Sequence, residues 1–146
     1  MVAVSYGAMN IPFMIVVLVA ALVWPQSPDT FKVRLSPVAI DTAMRNAVTG
    51  KGSATATLRG KNLSISGSFE GLQSPATVAR VHQGRATGVR GTPIGDLTVS
   101  NATSGTVTGS LTLTDAQIEG LRKGWLYIQI HSEKAPDGNL WGWLLR

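Results

Sequence analysis

The sequence predicts an all-β fold, an antiparallel sandwich or flattened barrel with one short helix, preceded by an apolar N-terminal segment. Three observations carry this. From residue 50 onward, runs rich in Thr, Val, Ser and Ala alternate in character and are broken by glycine turns at intervals of roughly eight to twelve residues. Only one stretch of that region, TDAQIEGLRKG, carries both a helix start and a helix stop. Residues 11–24, IPFMIVVLVAALVW, form an uninterrupted apolar run unlike anything after them.

Residues 1–28 are read as a signal peptide or N-terminal membrane anchor, and residues 29–146 as a single domain. The apolar run is short against the roughly twenty residues a spanning helix needs, and the prolines of PQSPDT end it. No Lys or Arg precedes it, which departs from the usual signal pattern. As an uncleaved anchor it would have Lys32 and Arg34 on a cytoplasmic side. The exported-looking β pattern downstream favours a periplasmic or extracellular domain, tethered by residues 11–24 if the segment is not cut.

The first clear pair of strands is GSATATLRGKNLSISGSFEGL. Ala54, Ala56 and Leu58, then Leu63, Ile65 and Phe69, recur every second residue, so each run has one apolar and one polar face. RGKN between them supplies turn chemistry, which makes a hairpin. ATVARVHQG follows, with Val78, Arg80 and His82 on one face and Thr77, Ala79, Val81 and Gln83 on the other. The glycines and proline of HQGRATGVRGTPIGDL mark a long exposed loop leading into IGDLTVS. SGTVTGSLTLT is the next strand. The helix then starts at Thr114 as N-cap, with Gln117 as its capping-box partner, has Ile118 and Leu121 on one face, and stops at Gly124. WLYIQIHS and NLWGWLLR close the chain. In the latter, Leu140, Gly142 and Leu144 share one face and Trp141, Trp143 and Leu145 the other, so both faces are apolar.

The chain has 146 residues and no cysteine, which excludes disulfides, thiolate metal sites and a cysteine nucleophile. All of the Lys, Arg, Asp and Glu residues lie at or beyond Asp29, so the formal net charge of +5 belongs to the globular part. Arg80, Arg85 and Arg90 lie near His82 in sequence and are candidates for a basic patch that meets an anionic surface or acidic partner. Nucleic acid is not expected, because no recognition motif or aromatic-interleaved basic run accompanies the charge.

These features in this order resemble the CHRD domain, the module named after chordin, over about residues 33–145. The resemblance is strongest where the TLTDAQIEGLRKG helix leads to an aromatic strand ending in histidine, WLYIQIHS, and a proline–glycine turn, EKAPDGNLWGWL. His131, Pro136, Gly138 and Gly142 match there. ARVHQGRATGVRGTPIGDL is similar to a His-Ile-His stretch and its glycine-rich loop, with His82 on the second histidine and Arg80 on the first. Asn139 and Trp141 stand where the family pattern has acidic and arginine residues. The resemblance implies an immunoglobulin-like or superoxide-dismutase-like β-sandwich of the bacterial exported type.

No Gly-x-Ser-x-Gly elbow, P-loop or dinucleotide fingerprint is present, and no enzyme activity is expected of the chain alone. Two readings of function follow. In the first, the chain is an accessory interaction module on a larger extracytoplasmic or membrane protein, with contact also to the membrane surface and no cofactor. Trp141 and Trp143 are then the anchor and Arg80, Arg85 and Arg90 the rim. In the alternative, His82 and His131 hold copper or zinc. Two histidines fall short of the three or four ligands a zinc site normally has.

Overall fold

A computed structural model describes residues 2–4, 7, 22, 24, 25, 27–39 and 41–146. The segment expected to direct export or anchor the chain lies almost wholly outside the described residues, apart from exposed Leu22 and Trp24. Among the described residues no helix is long and apolar enough to cross a membrane.

Alternation builds the strands. β1 (Asp29–Pro37) points Phe31, Val33 and Leu35 inward and Lys32 and Arg34 outward. β2 (Lys51–Arg59) and β3 (Asn62–Glu70) form the expected hairpin, paired from Lys51↔Glu70 to Arg59↔Asn62. Its two-residue turn needs positive φ at the first position, and Gly60, at 59°, supplies it. β4 (Ala76–Gln83), β5 (Thr92–Val99) and β6 (Gly105–Thr112) follow. Then come α1 (Asp115–Arg122), β7 (Leu126–Ser132) and β8 (Ala135–Trp143). The helix begins as its sequence predicts, with the reciprocal Thr114–Gln117 capping box, and Ile118 and Leu121 reach the core.

The eight strands close into an antiparallel barrel in the order β1-β2-β3-β6-β5-β4-β7-β8, and this corrects the expected immunoglobulin-like or superoxide-dismutase-like sandwich. The reason lies in two strands that change neighbours along their length. β1 pairs with β2 over residues 29–35 and then with β8 at Ser36↔Trp141 and Pro37↔Leu140. β5 pairs with β4 over its first part and then with β6 at Thr98↔Thr108 and Val99↔Val107. Strands that switch sheets at corners turn a two-layer arrangement into a closed one and remove exposed edges. The β1–β8 seam is reinforced where the amides and carbonyls of Lys32 and Leu145 exchange hydrogen bonds of 2.7 and 3.0 Å.

A second correction concerns the tail. The turn between β7 and β8 is Glu133–Lys134, and Pro136, Asp137 and Gly138 already belong to β8. The pairing shifts register between Ile130 and Ser132, and proline is tolerated beside such a bulge because it has no N–H to donate to a regular ladder. The two carbonyls left outside the ladder take side-chain partners: Gln129 Nε2 donates to the Asp137 carbonyl at 2.8 Å, and His131 Nδ1 lies 2.7 Å from that of Pro136.

Candidate functional site

The outer face of β4, β7 and β8 answers what covers the second apolar side of the last strand. Register lines up His82, Tyr127 and Trp143 across the three strands, and Arg80, Gln129 and Trp141 in the next row. Tyr127 is fully buried although it points away from the barrel core. Its ring stacks on His82 at 4.9 Å and 14°, and meets Trp143 at 4.9 Å and 33°. Trp141 completes the group, edge-on to Tyr127 at 6.1 Å and to Trp143 at 4.7 Å. Such ring pairs add to area burial about 0.5–1.5 kcal/mol each.

Two chain segments roof this cluster. The loop after β4 is pinned by the Gly91 N–H donating to Tyr127 Oη at 3.0 Å and by Thr87 Oγ1 donating to the Gly124 carbonyl at 2.7 Å. That loop lays the Arg90 guanidinium over the Trp141 ring at 5.1 Å. On the other side, residues 41–49 fold back so that Val38, Val48 and Ala135 bury one another against Met44 and Trp141. Asn139, fully buried, holds that segment by donating from Nδ2 to the Thr49 carbonyl at 2.7 Å and accepting from Ser132 Oγ at 3.2 Å. Asn139 and Trp141, two of the three departures from the expected pattern, therefore both help to fix the covering segments.

Trp141 and Trp143 nonetheless stay half-buried, because they also wall an open groove of about 690 Å³ along the β8–β1 seam. Lys32 and Arg34 of β1 line its centre, and Ser and Thr side chains of β2 and β3 form its far side. Sequence reasoning missed Tyr127, Lys32 and Arg34. Their signal was present in the alternation of Phe31, Val33 and Leu35 with cations, and of Tyr127 with Ile128.

The three arginines do not form one patch of uncompensated charge. Arg80 Nε donates to Asp96 Oδ1 at 2.9 Å, Arg90 rests on Trp141, and Arg85 is exposed on the same loop as Arg90. Burial pushes the His82 imidazole below its ordinary value of 6.5. The Gly91 carbonyl, 3.3 Å from Nδ1, works against that, and the charges of His131, Arg80 and Arg90 add to it. His82 Nε2, His131 Nε2 and Trp143 Nε1 are buried without a hydrogen-bond partner among the described residues.

His82 and His131 share the outer face but not a cross-strand row, although the charge of His131 still reaches the His82 imidazole. His82 pairs with Tyr127 and His131 with Val78, so the Arg80–Gln129 row lies between them and their backbones are offset by about 13 Å along the strands. Among the described residues no group of three or more His, Asp or Glu side chains is placed to hold a metal ion. Comparison with known proteins adds a family: residues 31–144 match the model of the CHRD domain. No curated protein and no solved structure gives a match.

Proposed function

The chain belongs to the CHRD domain family, and on that premise we propose that it is an exported, non-catalytic accessory subunit seated on a larger extracytoplasmic or membrane-associated protein. CHRD domains are in general extracellular and of the interaction type. The reading rests on one observation above others: Trp141 and Trp143 stay half-buried at the lip of an open groove, held rigid by Tyr127 and by the Arg90 stack. Rigid aromatic rings beside a cation are the groups that dominate protein interfaces, because they bury large area at little cost in side-chain entropy. Arg90 and Arg85 form the rim, and Arg80 is held against Asp96 at its edge. Residues 11–24 keep the domain near the membrane in this reading. The copper or zinc alternative would have only His82 and His131 as ligands, because no group of three or more candidate ligands occurs among the described residues.

Co-purification from gently solubilised membranes tests the proposal. A stoichiometric larger protein that accompanies the wild-type chain and is lost with Arg90→Glu supports it. Recovery of the folded chain alone, or retention of the partner by that variant, counts against it.

A further inference from the structure

The outer face of β1, β2, β3 and β6 has a regularity that protein docking does not use. Arg34, Ser53, Ser68 and Thr106 lie in one cross-strand row. Lys32, Thr55, Ser66 and Thr108 lie in the next, and Thr30, Thr57, Ser64 and Ser110 in a third. Inward positions on the same strands are apolar or glycine, so every outward position in these rows bears a hydroxyl or, on β1, a cation in two of the three. Neighbouring hydroxyls are spaced about 4.8 Å across strands and about 7 Å along them. β-propensity accounts for the threonines, but serine is not among the residues enriched in strands, so Ser53, Ser64, Ser66 and Ser68 are not explained by folding alone.

We propose that this hydroxyl face, with Lys32 and Arg34 at its edge, binds an extended acidic polysaccharide. Four features define the ligand. Each row offers hydroxyls that both donate and accept, which matches a polymer whose own surface is hydroxyl. Lys32 and Arg34 form no ion pair among the described residues and line a groove that contains no carboxylate, so they are left to meet anionic groups. Arg34 suits a sugar carboxylate through a paired donor fork. Trp143 and Leu145 on the opposite wall supply an apolar surface for the C–H face of a sugar ring.

A protein partner fits this face poorly, because it has no large apolar side chain within the rows to serve as a hot spot. A membrane fits it poorly too, because nothing in the rows inserts into acyl chains. The site shares the groove and Trp143 with the proposed docking face, but its hydroxyl rows and its two cations lie away from Arg90, and titrating the chain alone with a polymer makes failure of this proposal distinguishable from failure of the accessory-subunit reading.

The test is calorimetric titration of the full chain with polygalacturonate, with neutral dextran and polyglutamate as comparison polymers. The wild type is expected to bind polygalacturonate at least tenfold more tightly than either comparison. Lys32→Gln with Arg34→Gln should lower that affinity tenfold or more. Thr55→Val with Thr108→Val keeps shape and strand preference, and should lower it several-fold with the urea midpoint unchanged. No binding, equal binding of polyglutamate, or wild-type affinity in the threonine variant would each overturn the proposal, the last two by reducing it to unspecific charge.

Discussion

Replacing Tyr127 with Phe removes one oxygen atom from the roof of the aromatic face and leaves every ring in place. That oxygen accepts the Gly91 N–H at 3.0 Å and lies 3.4 Å from the Gly91 carbonyl. Gly91 is itself exposed, so its N–H can turn to water, and the loss is an ordinary net hydrogen bond of about 1 kcal/mol. For a domain of this size a urea slope of about 1–3 kcal/mol/M converts that into a midpoint lowered by roughly 0.3–1 M. The larger consequence is local. With Gly91 released, the loop from residue 84 to 91 is held chiefly by Thr87 and by the Arg90 stack, so its amides should exchange faster while those of Ile128 and Ile130 in the core do not. Partner affinity should fall with Trp141 and Trp143 untouched, because Arg90 loses its fixed place. Urea unfolding followed by tryptophan emission, with hydrogen exchange at Gly91, measures both effects. An unchanged midpoint together with unchanged Gly91 protection would refute the reasoning that this hydroxyl pins the loop.

Three further outcomes are expected. His82 has a depressed pKa, so the unfolded chain binds more protons than the folded one as pH falls below 6.5. Its contribution to stability is full above that pH and is lost as pH drops through the folded value, so the urea midpoint should decline as pH falls below 6.5, and His82→Gln should flatten that decline. Asn139→Leu removes the donor to Thr49 and leaves Ser132 Oγ buried without its partner, which should cost about 1–3 kcal/mol in unfolding free energy and expose residues 41–49 to limited proteolysis. Gly142→Ala would place a methyl against the Arg34 carbonyl and 2.7 Å from Val33 Cγ1, so it should strain the β1–β8 seam by about 1–3 kcal/mol and speed exchange at the Lys32 and Leu145 amides. Unaltered exchange there would contradict a closed barrel.

Local structure was readable wherever one short stretch carries its own signal. The alternation of Ala54 to Phe69 specified the hairpin, and Thr114 with Gln117 specified the helix start, because both depend on neighbours in sequence. Closure was not readable, since it rests on pairs such as Ser36↔Trp141 and Thr98↔Thr108 between strands of no special composition. The same applies to the site. Trp141, Trp143 and Arg90 were singled out by residue type, and the structure stacks Arg90 on Trp141. Arg80 was grouped with them by sequence proximity, but its register partner Asp96 takes up its charge. The distance between His82 and His131 is likewise a matter of register, which sequence spacing does not encode.

The docking face is tested most directly by placing a photo-activated cross-linking amino acid singly at positions 143, 90 and 59 and irradiating the native membranes. Arg59 is exposed at the far end of the β2–β3 hairpin and serves as the comparison. The account predicts one discrete larger adduct from positions 143 and 90 and none from 59. Equal labelling from all three, or an adduct from position 59 alone, would contradict it.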